Sequence, residues 1–597
     1  MSENNKNSNE ITGSKALLNM IVKEGVKTIF GYPGGAVLGL YDELYSRDDI
    51  NHILVRHEQC AGFMADGYAR VSGKPGFVLA TSGPGATNIV TSICNSQMDS
   101  IPIIALTGQV PTHGIGTDFF QEADITGITL PIVKHSYLVL KSNQIPKTVK
   151  KAFHISTTGR PGTILIDLPK DVLASKFPYK EGMENDYTLP GYKPTVKGNS
   201  RQIHAASKAI LESKKPVLYV GGGVISSEAS EEIKELAESC SIPVTWTVMG
   251  IGTFPHNHYL SLGMLGMHGT AYANKAVHDC DLLIAVGVRF DDRVTGKLET
   301  FAPNARVIHI DIDPAEIGKN RKLKDTVDVP IVGDAKNILQ ELIKKLVDKK
   351  IDTNEWLKNL DEWKKKYPLD EPKSTKEITP QQILHALNKY AKDAIYTVDV
   401  GQHQMWAAQY LEIDKPRRWC CSSGLGTMGY GFPAALGAKA ALKDMKVNLP
   451  VVCITGDGGF QMNLQELGTM VANNLPVVII LMNNNNLGMV RQWQELFFNK
   501  HYSYVDLENG SPDYVKLSEA YGVTAKKIEK PQDVESSIKE AIKLNKPVLL
   551  EFVLNYEANV WPIVPPGGSS HEMMGIDAKT LPEKTISKEE LEKILKK

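Results

Sequence analysis

Short apolar runs recur along the chain, and each is followed by a longer stretch with helical spacing. In the first third these runs are Phe77–Ala80, Ile103–Leu106 and Ile164–Leu168. Pro216–Val220, Leu282–Val286 and Val307–Ile310 occupy the middle, and Ile395–Val398, Val451–Ile454 and Val477–Leu481 the last third. Strand-like runs alternating with helices predict parallel α/β sheets. Several runs end directly in glycine-rich turns: GYPGG, TSGPGATN, YVGGGV and ITGDGG. Ligands of open α/β sheets bind at these carboxyl ends, where short Gly turns let main-chain N–H groups reach phosphate.

Two stretches read as linkers: Lys180–Ser200, with Pro190, Gly191, Pro194 and Gly198 and little apolar content, and the charged, Trp-containing Lys349–Pro380. They divide the chain into α/β units at 10–182, 200–348 and 376–560, followed by a tail at 561–597. The 597 residues fit this division at roughly 150–200 residues per domain. The polar MSENNKNSNEI start reads as a frayed tail, and the closing KEELEKILKK as a solvated helix end.

Composition changes the picture little, but it excludes some classes. Lys plus Arg (67) nearly cancels Asp plus Glu (68), so there is no general attraction to nucleic acid or anionic lipid. No apolar run reaches the ~18 residues needed to span a membrane. The start lacks the apolar core of a signal peptide and the Arg-rich amphipathicity of a transit peptide. Seven Cys show no CxxC spacing, which fits reduced thiols in a cytoplasmic protein better than a disulfide framework or a zinc site.

The strongest chemical signal is Gly456-Asp457-Gly458 followed, one helix later, by Asn483-Asn484. Val451–Thr455 is a buried strand that delivers Asp457 to its carboxyl end; Phe460 to about Asn473 has helical spacing; Pro476–Met482 returns as the next strand. Asp457 and Asn484 thus share the ends of adjacent strands. One carboxylate and one amide oxygen suit Mg2+, which keeps positions open for phosphate oxygens and water. A lone Gly-Asp-Gly is ordinary turn chemistry; with the Asn pair it is the motif of thiamine diphosphate enzymes.

That cofactor needs a carboxylate at N1′ of its aminopyrimidine, placed at a strand end in a different unit from the diphosphate site. Glu58 fits, between the short strand HILVR and a helix; taken alone it is an ordinary helix-starting Glu. Met428, in GLGTMGYG, is placed to wedge between the two cofactor rings, though alone it reads as a core Met.

With these residues in place, the chain from about Gly13 to about Gly568 resembles the catalytic subunit of the acetohydroxyacid (acetolactate) synthase family. FGYPGGAV, RHEQCAGFMADGYAR, TSGPGATN, LTGQVP, GTDFFQE, GRPGTILIDLPKDV, LGMHGTAYAN, GVRFDDRVTGK, HIDIDPAEIGKN, VGQHQMWAAQY and NNLGMVRQW carry the resemblance. It implies three doubly wound parallel-sheet domains: a thiamine-diphosphate-binding fold around a central FAD-binding domain. It also implies a homodimer or homotetramer with active sites between subunits, a separate regulatory small subunit, and FAD beside thiamine diphosphate and Mg2+.

By the same resemblance, Glu58 activates the pyrimidine, Gly34, Gly35 and Ala36 lie near the reacting carbon, and Gln121 and Lys170 line the substrate channel. Val400, Gly401, Gln402, His403, Gly426 and Met428 hold the cofactor. Gly458, Gly459, Leu487, Gly488 and Met489 complete the phosphate loop, and a main-chain carbonyl at Asn486 joins Asp457 and Asn484 on the metal. FAD-contacting positions match Arg160, Gly222, Thr247, Val248, Met249, Gly266, Met267, His268, Arg289, Asp311, Ile312, Glu316 and Asp334. Spacing alone supports FAD weakly, since Gly263, Gly266 and Gly269 give GxxGxxG and not GxGxxG.

The implied reaction decarboxylates pyruvate and transfers its two-carbon unit to pyruvate or 2-ketobutyrate, giving 2-acetolactate or 2-aceto-2-hydroxybutyrate for valine, leucine and isoleucine biosynthesis. For the acceptor, Arg293 offers a carboxylate clamp and Trp493 an apolar wall. The plainer alternatives are an ion pair of Arg293 with Asp291 or Asp292, and a core Trp. Thr112, His113, Phe119 and Pro566 depart from the family's usual residues near the channel mouth. A pyruvate oxidase-like enzyme, another thiamine diphosphate decarboxylase and a catalytically silent nucleotide-binding homologue are the rival assignments.

Overall fold

The computed structural model describes residues 10–319, 327–369 and 374–576. Three six-stranded parallel sheets carry the chain. In spatial order the N-terminal sheet runs Asn51–Leu54, Thr28–Gly31, Gly76–Ala80, Ile103–Gln109, Thr163–Pro169, His135–Leu138. The central sheet runs Ser261–Met264, Val244–Trp246, Pro216–Val220, Leu282–Val286, Arg306–Asp311, Val327–Val332. The C-terminal sheet runs Trp419–Cys421, Ile395–Val398, Val451–Gly456, Val478–Asn483, Val548–Val553, Thr524–Ile528. The parallel α/β sheets expected from the alternating runs, in the three doubly wound domains that the resemblance implies, are therefore present.

Numbered within its own unit, the outer sheets share the order 2-1-3-4-6-5, whereas the central sheet has the order 3-2-1-4-5-6 of dinucleotide-binding folds. In each, strand order reverses beside the first strand, and that reversal opens a crevice at the carboxyl ends. The outer units are thus two copies of one plan, and the central unit is a different one.

The two outer units also share an apolar core. Helix Glu58–Ser72 of the first lies against helix Gly431–Met445 of the last, and Phe30, Ile53 and Val78 join Phe432, Leu436 and Leu481 in one buried cluster. Two glycines permit this crossing. A Cβ on Gly67 would run into the Ala434 carbonyl, and one on Gly437 into the Met64 carbonyl, so the backbones meet where side chains would hold them apart.

Several sequence expectations shift at the edges. Glu10 and Ile11 are not frayed: Glu10–Thr12 pairs antiparallel with Lys176–Pro178 and closes the N-terminal unit. The stretch Lys349–Pro380 contains the helix Asn354–Lys366, whose buried Trp356 donates its indole N–H to the Pro216 carbonyl at 3.2 Å. The helical segment after Asp457 is two short helices, Asp457–Asn463 and Leu467–Ala472, joined by a tight turn. Residues 561–576 pack back onto the central unit, with Val564 N–H donating to Met267 O at 2.9 Å and Lys297 N–H to Gly568 O at 3.0 Å. The closing KEELEKILKK lies outside the described residues.

Candidate active site

The C-terminal crevice is a cavity lined by three turns that leave strand ends: Val400–His403, Gly456–Gly459 and Asn484–Val490, together with Met428 and Trp406. Each turn is shaped by close backbone approach. A Cβ on Gly456 would sit 2.9 Å from His403 Nδ1, and one on Gly488 would overlap Gln402 Oε1. Gln402 is itself fixed, donating from Nε2 to Gln492 Oε1 at 2.9 Å and to Ala558 O at 2.8 Å.

Asp457 opens its helix at 1% exposure, with one carboxylate oxygen buried and unpartnered. Burial pushes its carboxyl up to about 7, although nearby main-chain amides pull the other way. Asn484 donates to Gln402 Oε1 at 3.2 Å and accepts the Asn486 amide at 3.2 Å. Asn486 Oδ1 and His403 Nε2 are likewise buried without partners, and burial holds the His403 imidazole neutral, its pKa pushed down to about 3. Buried polar atoms left unpaired are costly, so three of them around one cavity fit a cation and an anionic ligand. A carboxylate, an amide oxygen and main-chain groups suit Mg2+, and glycine amides with a neutral imidazole suit a diphosphate.

Sequence reasoning missed the groups that hold these residues in place. Asp399, fully buried, accepts the amides of Val400 (2.7 Å), Gly429 (2.9 Å) and Gly431 (2.9 Å), tying the first turn to the segment around Met428. Asn463 donates to Gly429 O at 2.6 Å. The only available signal was an Asp at a strand end in TVDVGQHQ, which nothing in the pattern separates from a solvated turn.

The N-terminal unit gathers a second group of expected residues at its own strand ends. Glu58 begins helix Glu58–Ser72, and Asn88 donates to its Oε2 at 3.0 Å. Gly34 lies so close to Thr81 that no side chain fits there, and Ala36 N–H donates to Thr81 Oγ1 at 3.3 Å, whereas Gly35 faces open space. Gln121 takes a left-handed conformation (φ 61°) against Gly83. Lys170, at the start of helix Lys170–Ala174, is exposed. The residues lining the C-terminal cavity all fall between Val400 and Leu554, so one chain brings neither Glu58, Gln121 nor Lys170 into it.

Arg293 and Trp493 come from different units and meet around Met267. The Met267 amide donates to Arg293 O at 2.8 Å, and its side chain packs in the cluster of Trp493, Leu496, Phe497 and Ile563. The Arg293 guanidinium is largely exposed and lies 3.5 Å from Asp292, so the plainer ion pair exists without burying the charge. Of the residues that depart from the family's usual ones, Thr112 donates to Asp171 at 2.5 Å and His113 meets Phe119 edge-on.

In the central crevice, Gly222 starts the helix after the first strand, and Thr247 caps the turn Val248–Gly250, which holds Met249 beside Gly222. Gly266 (φ 113°), Met267 and His268 follow the third strand. Arg289 and Asp311 with Ile312 follow the fourth and fifth. Arg160 crosses from the N-terminal unit to Asp313 at 3.3 Å and Glu316 at 2.7 Å. Burial pushes Asp311 up to about 7 and His268 down to about 4. Asp334 caps helix Ala335–Leu346 through the Asn337 amide at 3.1 Å. The sheet has dinucleotide order, and His268 Nδ1 and a Glu316 oxygen are buried without partners; both observations fit a flavin dinucleotide.

Duplicate outer units, a diphosphate-shaped cavity in one and an acid-bearing strand end in the other define a thiamine pyrophosphate enzyme. The family models agree: the N-terminal TPP binding domain matches residues 11–128, the central domain 203–342 and the C-terminal TPP binding domain 399–552. Within that class the chain belongs to the acetolactate synthase large-subunit family. It is 50% identical to the acetolactate synthase large subunit of Cyanidium caldarium over 96% of this chain and 98% of that one. It is 51% identical to that of Pyropia yezoensis (95% and 96%), and 50% identical to the large subunit IlvB1 of Mycobacterium tuberculosis (94% and 91%).

Proposed function

We propose that this chain is a 2-keto acid carboligase: it decarboxylates pyruvate and joins the remaining two-carbon unit to a second pyruvate or to 2-ketobutyrate. The products are 2-acetolactate and 2-aceto-2-hydroxybutyrate, precursors of valine and leucine and of isoleucine. The observation that carries this is the Val400–Leu554 cavity, with unpaired atoms on Asp457, Asn486 and His403, in a chain of this family.

Asp457, Asn484 and the Asn486 carbonyl would hold Mg2+, and His403 with Gly458, Gly459, Leu487, Gly488 and Met489 the diphosphate. Bound there, thiamine diphosphate supplies the electron sink that lets a carboxylate leave as CO2. Met428, in the cavity lining, would wedge between the two rings of the cofactor, with Gly426 nearby in the same segment. Glu58 would hold a proton at its carboxylate for the pyrimidine ring nitrogen, and Asn88 keeps that carboxylate oriented. Arg293 binds the acceptor's carboxylate, Trp493 packs its alkyl group, and Gly35, Gln121 and Lys170 line the approach.

Because Glu58 lies outside the cavity of its own chain, the complete site takes Glu58 from a second copy, as a homodimer or a homotetramer of such pairs. The central crevice would hold FAD in a structural role, since the net reaction transfers no electrons. A separate small subunit supplies feedback regulation. Seven unpaired cysteines, and no helix among the described residues able to cross a membrane, support a cytoplasmic placement. Product analysis with pyruvate and 2-ketobutyrate in competition, with and without FAD, tests this function. Acetate formation in place of the two acetohydroxy acids overturns it.

A further inference from the structure

The segment that carries Met428 into the cavity is held by the N-terminal unit of the same chain. It leaves strand Trp419–Cys421 and runs through Gly424, Gly426 and Gly429, with Gly426 and Gly429 at φ 68° and 83°. Leu425 is 41% exposed. A glycine-rich run of this kind has many conformations to lose, and main-chain pairing alone does not fix it.

Two side chains of helix Val90–Met98 and its end do so instead. The Asp99 carboxylate accepts the Gly424 amide at 2.7 Å and the Ser423 amide at 3.1 Å. Asn95 Oδ1 accepts the Ser422 hydroxyl at 2.5 Å and the Thr427 hydroxyl at 3.2 Å, while Ser422 Oγ accepts the Thr427 amide at 2.7 Å. The residue after Thr427 is Met428, and beyond it Asp399 takes over at Gly429.

Asp99 is itself immobile. Arg70 donates to it at 2.8 Å and to Asp66 at 2.5 Å, and Tyr430 donates to Asp66 at 2.6 Å. The group is buried, with Asp66 and Asp99 side chains at 0% exposure and Arg70 at 5%. Arg70 also touches Met249 of the central unit at 3.3 Å. An ionic cluster of this kind orients its members more than it stabilises the fold.

We propose that Asp99, with Asn95, is a positioning residue for Met428: the N-terminal unit sets the height and angle at which Met428 meets the cofactor held by the C-terminal unit. This inference rests on the proposed seating of thiamine diphosphate over Met428.

Asp99→Asn, Asn95→Ala and Met428→Ala, with the two double variants containing Met428→Ala, form the test in the full-length chain. Three readouts separate positioning from folding: amide hydrogen exchange of residues 422–431 in the cofactor-free protein, thiamine diphosphate affinity by tryptophan quenching, and the rate of C2 proton exchange on bound cofactor. Asp99→Asn and Asn95→Ala are each expected to speed amide exchange in this segment about tenfold while leaving distant segments alone. C2 exchange is expected to fall about tenfold to a hundredfold at saturating cofactor. Met428→Ala lowers C2 exchange similarly, and each double variant is no slower than Met428→Ala alone.

Asn95→Ala removes one long contact to Asp66, at 3.5 Å, but keeps both ion pairs of Arg70, so it remains informative where Asp99→Asn fails to fold. Unchanged segment exchange, or losses that multiply with Met428→Ala, overturn the positioning role while leaving Met428 its own. Unchanged C2 exchange in Met428→Ala removes the role of Met428 and this inference with it.

Discussion

Glu466 accepts the main-chain amide of His57 at 3.1 Å, and the same carboxylate oxygen accepts that of Arg56 at 2.9 Å. A carboxylate of the C-terminal unit thus fixes the two residues before Glu58, where the chain turns into its helix. His57 adds its own cap, accepting the Gln59 amide at 3.2 Å. Glu466→Ala strands both amides in a buried interface, and the expected cost is about 1–3 kcal/mol of unfolding free energy, read by urea denaturation. An unchanged midpoint would show that water replaces the carboxylate.

Glu58→Gln removes the proton-exchanging group but preserves volume and the contact with Asn88. C2 proton exchange on bound thiamine diphosphate is expected to slow by about 10²–10⁴-fold, with cofactor affinity held within a few-fold. A normal exchange rate would pass the role to another group.

Trp493→Leu cuts back the apolar wall beside Met267. The expected outcome is about a tenfold fall in preference for 2-ketobutyrate over pyruvate as acceptor, with acetolactate formation largely kept. The ratio of the two products in competition reads this directly, and an unchanged ratio excludes Trp493 from acceptor choice.

Asp167 gives a pH signature. It is buried beside Thr107 and Gln109, with Asp124 nearby, and burial pushes its carboxyl up to about 7. A buried acid with a raised pKa favours the fold when protonated. Its contribution is complete below the unfolded value near 4 and is lost as pH rises to about 7. Asp167→Asn is expected to remove a decline on the order of 2–4 kcal/mol across that window, seen as a flatter plot of stability against pH.

Gly437→Ala probes the crossing of the two long helices. The added methyl group meets the Met64 carbonyl, a main-chain atom that cannot step aside. A loss of about 1–3 kcal/mol or more is expected, with thermal unfolding as the readout. Wild-type stability would mean that the helices separate freely.

The sequence by itself determined the elements and the chemistry carried on single turns. Continuous apolar runs define strands buried on both faces, and Asp457 and Asn484 are legible because adjacent strand ends in a parallel sheet lie side by side. The family motifs assigned the remaining positions. What pattern could not reach were contacts between residues far apart in the chain: Asp399 beneath Gly429 and Gly431, Glu466 behind His57, Asp99 on Gly424. Each is one acidic residue among many, and only folding brings it to buried amides. Tertiary structure also decided that Glu58 and the cavity of its own chain stand apart, because that depends on how two copies of one sheet plan pack across Gly67 and Gly437, where the absence of side chains sets the distance.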